Sequence, residues 1–287
     1  MPIRAPGGLR IFRHLDWGDL ARIVLLDTRH FGRDQQIDYR RTLTPALAQG
    51  GREARAVIDE FRRTILDDPA RTMLGATQEQ WLMSTLAESK ARGQRWQVIA
   101  QQVVMAPQNA PAEISQLLPP GTSSNTRRWF TAGEEAAARG LPWNLDTWSG
   151  YPAARRRLLE ACKHHGTNAM ILSGDSHNCW ANQLELDGER VALEFAGGSV
   201  TSPGLERPLT NALPGEREAM MRLANPHLAW CDVTRRGYGA LTFTQDDCEA
   251  EWIGFDDVRT AHPGTASRVP LATQPSNGHG PGPWEVG

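Results

Sequence analysis

The sequence predicts an α/β fold in which a helix-flanked sheet is layered on a second sheet. Three observations carry that prediction. Strand-like apolar runs alternate with helix-period segments from residue 20 to residue 173. A run of strands separated by turn signals follows. The chain has 287 residues, 40% apolar and 22% charged, which is globular composition and enough length for a full core.

Residues 20–29, LARIVLLDTR, read as a buried strand that ends in Asp27, Thr28 and Arg29. Residues 53–66 place Ala54, Val57, Ile58, Phe61 and Ile65 at helical spacing, with Pro69 beyond. Thr77 and Gln80 have capping-box spacing and open a helix that runs to Gly93, with Trp81, Leu82 and Leu86 on one side. RWQVIAQQVVMAP, 95–107, is the next strand and stops at Pro107. From 106 to about 150 the periodicity is lost, which inside a globular domain marks a functional segment or an insertion. TAGEEAAARG, 131–140, supplies a short helix within it. Pro152 opens a helix with Leu158, Leu159 and Cys162 inward, closed by Gly166. NAMILSGDSH, WANQLEL, an Asp187-Gly188 turn and RVALEFAGG come next. HLAWCDV, YGALTFT and CEAEWIGF read as antiparallel strands joined by short turns. Beyond Asp256 the chain is Gly/Pro-rich, so the reading is one domain over 1–255 and a loosely ordered tail over 256–287.

Formal net charge is −2, so no basic field points to a nucleic-acid partner or an anionic membrane. No run of 18 apolar residues spans a bilayer, and the first 20 residues lack the apolar core of a secretory signal. The cysteines at 162, 179, 231 and 248 have neither CxxC nor zinc-ligand spacing and read as buried free thiols.

The chemistry concentrates in LSGDSHNCW, 172–180. Gly174-Asp175-Ser176 matches the GDS of one class of serine esterase, whose base comes from a later D-x-x-H. Here His227, His262 and His279 follow Ala224, Arg259 and Ser276 at that spacing, and a serine without a positioned base is a poor nucleophile. A tight turn permitted by Gly174 can instead aim the Asp175 carboxylate and the His177 imidazole at one metal ion. A polar strand end, with Asp175 capping backbone N–H groups, is the structural alternative.

LDTR, QWL, QVVMAP, DTWSGYPAARRRLL, LSGDSHNCW, EFAGGSVTSPG and NPHLAWCDVTRRGY occur in this order and at these distances. Together they resemble the PhoD-like alkaline phosphatases, a branch of the calcineurin-like metallophosphoesterases. The resemblance implies a metallophosphoesterase-like β-sandwich, two mixed sheets flanked by helices, with metals held by loops at strand ends. It implies metal-dependent hydrolysis of phosphate monoesters and diesters by a metal-bound hydroxide, iron and calcium as the metals, and export from the cytoplasm. Asp175 and His177 match the late ligand motif and are carried over as metal ligands and catalytic residues. Asp146, Trp148 and Tyr151 fall where the D-x-W-x-G-Y segment approaches the site. Arg29 can neutralise a phosphate oxygen. Ser199, Thr201 and Ser202 lie in a Gly-rich turn suited to phosphate, and Asn225 and His227 face the site. Each of these also has a structural reading: an aromatic loop anchor, an arginine paired to a carboxylate, or a helix cap.

The resemblance further implies a bridging carboxylate and other ligands from an upstream G-D segment and an acidic, Asn-containing one. Neither is visible before residue 175, and Gly18-Asp19 precedes its strand instead of following it. MPIRAPGGLRIFRHLDWGDLARIVLLDTR resembles the middle of a family member. The sequence is therefore expected to be the C-terminal half of the catalytic domain, with the upstream half needed for a complete site. Two other readings stand beside hydrolysis: a non-catalytic fragment or pseudo-enzyme with half a metal site, and the GDS-type serine esterase. Half a sandwich leaves strand edges and a core face uncovered. The isolated chain is thus expected to associate in sedimentation velocity, and a monomer with one sharp thermal transition would contradict that expectation.

Overall fold

A computed structural model describes residues 10–48, 53–165, 167–260, 267–276 and 280–286. Strands β1 (Arg13–Trp17) and β2 (Ala21–Leu25) form a hairpin whose turn uses Gly18 at φ 56°. Strand β3 (Trp96–Ala100) lies parallel to β2, and β4 (Ala169–Ser173) lies parallel to β3. The hairpin of β5 (Cys179–Leu186) and β6 (Glu189–Ala196) continues the sheet, with β6 parallel to β4. Its turn is Asp187-Gly188, both at positive φ, as the sequence predicts. Strand β7 (Leu228–Asp232) pairs with β5, which completes a seven-stranded sheet of order β1-β2-β3-β4-β6-β5-β7. Strands β8 (Arg236–Phe243), β9 (Cys248–Phe255), β10 (Ser267–Thr273) and β11 (Glu285–Val286) form a second, antiparallel sheet.

The helices are α1 (Tyr39–Ala48), α2 (Ala54–Phe61), α3 (Ala76–Ala91), α4 (Ser124–Ala138), α5 (Pro152–His164) and α6 (Pro214–Ala224). A π turn over Arg62–Leu66 extends α2. The central strands alternate between two cores, as a period of two requires. Ile99 and Ile171 join Leu82, Leu86, Leu158 and Leu159 on the helix side. Trp96, Val98, Met170, Leu193 and Phe195 meet Ala250, Trp252 and Leu271 between the sheets. There Phe195 stacks on Trp252 at 3.9 Å between ring centroids, and Trp230 stacks on Trp252 at 4.4 Å. The predicted architecture, two sheets with helices, is the one observed.

Several local expectations are corrected. The α3 N-cap is Gly75, not Thr77; the Thr72 hydroxyl accepts from the Leu74 and Gly75 N–H groups instead. The aperiodic stretch contains α4, which starts at Ser124 with Ser123 as its cap and is longer than the predicted 131–140 piece. The long strand of 95–107 pairs only over Trp96–Ala100, because the Met105 and Ala106 N–H groups turn to the Glu194 carboxylate. β7 and β8 are not neighbours: Asp232 Oδ1 accepts from the Thr234 and Arg235 N–H groups, and this turn carries the chain to the other sheet. The tail is not loose over β10, where Leu271 is buried against β9, and Trp284 is buried as well. Composition averages over the few residues that pack, so it conceals such a strand. The expected helix stop at Gly166 lies outside the described residues.

All four cysteines are free and buried. Burial pushes the thiols of Cys162, Cys179 and Cys248 up to about 12, so they are inert near neutral pH. No described helix is long and apolar enough to cross a membrane.

Gly239 on β8 is required by close approach, because a methyl group there would overlap the Phe195 ring. Gly239→Ala should cost about 1–3 kcal/mol, the usual range for overpacking, read by urea denaturation. An unchanged midpoint would mean that the inter-sheet stack yields at no cost.

Candidate functional site

The parallel strands β2, β3 and β4 end on one side of the first sheet, where open α/β sheets place their ligands. Asp27–Arg29 follow β2, Gln101 and Gln102 follow β3, and Gly174–His177 follow β4. Asp175 (φ 65°) and His177 (φ 60°) both adopt the left-handed conformation, which is costly for residues with a Cβ. The surroundings hold them there. Asn178 Nδ2 donates to the Ser176 carbonyl at 2.6 Å, and its Oδ1 accepts from Leu205 N–H at 3.1 Å. The buried Arg236 guanidinium donates to the carbonyls of His177 and Ser202 and to Glu206 Oε2 at 2.6 Å. Gly204 makes room for this cluster, since a Cβ there would collide with Asn178 Oδ1 and the His177 carbonyl.

The clamp determines what each side chain of the turn offers. His177 Nδ1 lies 3.0 Å from the Pro203 carbonyl, so Nδ1 carries a proton and the Nε2 lone pair is left for a ligand. The Ser176 hydroxyl donates to the Asn178 carbonyl at 3.0 Å and accepts from the Trp180 indole at 2.7 Å. It is part of the turn and has no hydrogen bond to a histidine among the described residues.

Arg29 joins two carboxylates. Its Nη1 contacts both oxygens of Asp146 at 2.9 and 3.0 Å, and its Nη2 donates to Asp175 Oδ2 at 2.7 Å. Arg33 approaches Asp146 from the other side, with Nη2 2.5 Å from Oδ1 and 3.0 Å from the backbone carbonyl. Burial pushes the Asp146 carboxyl up, but the hydrogen bonds and charges of the two arginines outweigh it and hold its pKa below the ordinary aspartate value. Asp27 Oδ1 accepts from the N–H groups of Arg29 and His30, while Oδ2 is buried without a hydrogen-bond partner among the described residues.

The structure brings together only some of the expected residues. Asp175, Arg29 and Asp146 are joined by ion pairs, and His177 stands two residues on in the same turn, with its ring on the Pro203 carbonyl. Trp148 and Tyr151, expected to line the substrate, are instead completely buried. The Trp148 indole donates to Gln101 Oε1 at 3.1 Å. The Tyr151 hydroxyl accepts from Arg33 Nε at 2.9 Å and donates to the Asp34 carbonyl at 2.8 Å, so the ring orients Arg33 from within the core. Asn225 is also buried, with its amide occupied by the backbone of Asn109 and Met221. His227 Nε2 lies 2.8 Å from the Pro107 carbonyl, and burial lowers its pKa. Both residues pin the 107–109 segment rather than the turn at 175–177. Ser199 Oγ accepts from the N–H groups of Thr201 and Ser202, which shapes its loop and leaves Thr201 exposed.

Arg33, Glu194, Asn178 and Arg236 were not singled out by the sequence reading, although three of them lie within its quoted segments. Asn178 belongs to LSGDSHNCW, Glu194 to EFAGGSVTSPG and Arg236 to NPHLAWCDVTRRGY. Their polarity within or beside buried strands was the available signal. A cleft of about 520 Å³ opens beside Asp175 and Ser176 and extends to Trp129 and Trp143. Among the described residues, no three His, Cys, Asp or Glu side chains gather closely enough to hold a metal by themselves.

A family model described as PhoD-like phosphatase matches residues 1–252. Alkaline phosphatase D of Bacillus subtilis (strain 168) is 31% identical over 266 residues, covering 88% of the chain and 36% of that protein. A solved structure described as the structure of PhoD superposes with a TM-score of 0.64 at 25% identity, over 99% of the chain and 45% of the other. The chain thus spans 36% of the length of the curated relative it matches.

The lowered Asp146 value has a pH consequence. Its folded-state pKa lies below the unfolded one, so the stability it contributes is complete above the ordinary aspartate range. That contribution is lost as pH falls from the ordinary value through the depressed one. Urea unfolding followed down this window should show wild type losing more stability than Asp146→Asn. Parallel losses would mean that the two arginines do not favour the ionised form.

Proposed function

Because the chain belongs to the PhoD-like phosphatase family, we propose that Asp175 and His177 supply part of a metal centre that hydrolyses phosphate monoesters or diesters. The observation that carries this reading is the His177 ring. With Nδ1 committed to the Pro203 carbonyl, its Nε2 lone pair is available, two residues along the same turn from the exposed Asp175 carboxylate. A backbone carbonyl behind a histidine is the usual support for a metal-binding imidazole.

The residues fit a metal as part of a ligand set. One carboxylate and one imidazole suit iron, manganese or zinc, whereas calcium would use the carboxylate alone. Two ligands are fewer than such ions require, so the remainder must come from beyond this pair. The buried, partnerless Oδ2 of Asp27 at the end of β2 is in keeping with a cation nearby. When bound, the metal supplies positive charge against the phosphoryl oxygens and a hydroxide nucleophile near neutral pH. The chain's own residues hold and orient: Arg236 and Asn178 fix the turn, and Arg29 holds Asp175 in position. The Arg29 fork also matches phosphoryl oxygens, although both of its ends are engaged by Asp146 and Asp175.

The reading as a non-catalytic half-site draws on one observation, the lack of a three-ligand cluster among the described residues. The serine-esterase reading has no such support, because the Ser176 hydroxyl is tied to Asn178 and Trp180. Elemental analysis of the purified chain should find bound metal that Asp175→Asn or His177→Ala removes. Phosphate release from an aryl phosphate should stop on chelation and persist in Ser176→Ala. A chain that retains no metal would establish the half-site, and hydrolysis surviving chelation but lost in Ser176→Ala would establish the esterase.

A further inference from the structure

The cleft beside Asp175 has a wall that the metal chemistry does not require. Trp129, on α4, is 46% exposed, and its ring lies 4.3 Å from that of Trp143 at 35°. Trp143 is itself seated on Gly133, where any side chain would overlap the indole. The second ring is thus packed firmly and the first rests on it, which leaves half of a large aromatic surface uncovered. An exposed tryptophan on a rigid aromatic base is a stacking platform.

Apart from Asp175, the polar lining of the same cleft is neutral. Among the described residues that line it, Asp175 is the only charged one, and it belongs to the turn at 175–177. The Gln108 carboxamide is half-buried and has no hydrogen-bond partner among the described residues. The Asn144 side chain spends its oxygen on Asp146 N–H and keeps its amide nitrogen free among the described residues. Free donors and acceptors beside an aromatic face suit a flat ring with a polar edge. A carboxamide can engage such an edge through two hydrogen bonds at once. The cleft volume of about 520 Å³ lies within the range of small-molecule sites.

We propose that this cleft receives a nucleoside as the alcohol side of the phosphate ester, with the base stacked on Trp129 and its edge read by Gln108 and Asn144. The proposal rests on the hydrolytic reading and specifies its substrate class. In the reaction, the phosphorus–oxygen bond to the nucleoside breaks and the oxygen of water forms the new bond to phosphorus. A proton from water leaves on the nucleoside hydroxyl. The platform belongs to the leaving group and not to the phosphate, so it should bind a nucleoside without phosphate or metal.

The test is therefore a calorimetric titration of the full chain, metal-free, with adenosine, and with glycerol and phenol as controls. Adenosine should bind and glycerol should not. Trp129→Ala should weaken adenosine by about tenfold or more, the scale of one lost base–aromatic stack. Trp129→Phe should recover most of that loss, which separates stacking from damage to the fold. Gln108→Ala should weaken adenosine and leave phenol unchanged. Adenosine binding no better than glycerol, or binding indifferent to Trp129→Ala, would overturn the proposal. Phenol binding as well as adenosine, with Gln108→Ala silent, would replace the nucleoside by a plain aryl group and also overturn it. Failure of the hydrolytic reading would appear separately, as absent phosphate release with adenosine binding intact.

Discussion

The left-handed turn from Asp175 to His177 is held by a buried arginine, and the candidate site depends on that contact. Two non-glycine residues near φ +60° carry about 1–2 kcal/mol of strain each. Arg236 offsets it by donating to the carbonyls of His177, Ser202 and Thr234 and to Glu206. Arg236 is the first residue of β8, so the second sheet determines the geometry of a turn that belongs to the first. The sandwich thus contributes to the site directly, beyond supplying a core.

A buried carboxyl group organises the strand ends beneath. Glu194 on β6 accepts from Met105 N–H, Ala106 N–H, Ser173 Oγ and Asn182 Nδ2. Burial raises its pKa, while those four donors pull toward the ionised form. A carboxylate in the core is tolerable only when its lone pairs are satisfied, as they are here. The result ties the segment after β3 to the end of β4. Across the mouth, Arg33, Asp146, Arg29 and Asp175 alternate in sign, so each charge is held between opposite ones.

Much of the fold was legible because periodicity reports local packing. The central strands alternate toward two cores, and α5 begins at Pro152 with its predicted apolar face inward. The Asp187-Gly188 turn was readable from two residues. The misses share a cause. α4 spends its apolar face on Trp143 through Gly133, a pairing that leaves a weak stripe in the sequence. β10 lies in Gly/Pro-rich surroundings and is held by its ladder to β9. β7 and β8 read as neighbours in sequence, yet a single aspartate turn sends them to different sheets.

The sequence by itself determined the alternation of elements, the family, and the placing of Asp175 and His177 at a strand mouth, because these follow from local pattern and ordered motifs. Only the tertiary structure decided which neighbours reach that mouth. It buried Trp148 and Tyr151 and diverted Asn225 and His227 to the 107–109 segment. It brought Arg29 to Asp146 and Asp175 across 117 and 146 residues of chain, and Arg236 to His177 across 59. Hydrogen bonds and ion pairs select partners by distance in space, and no period along the chain records a partner that far away.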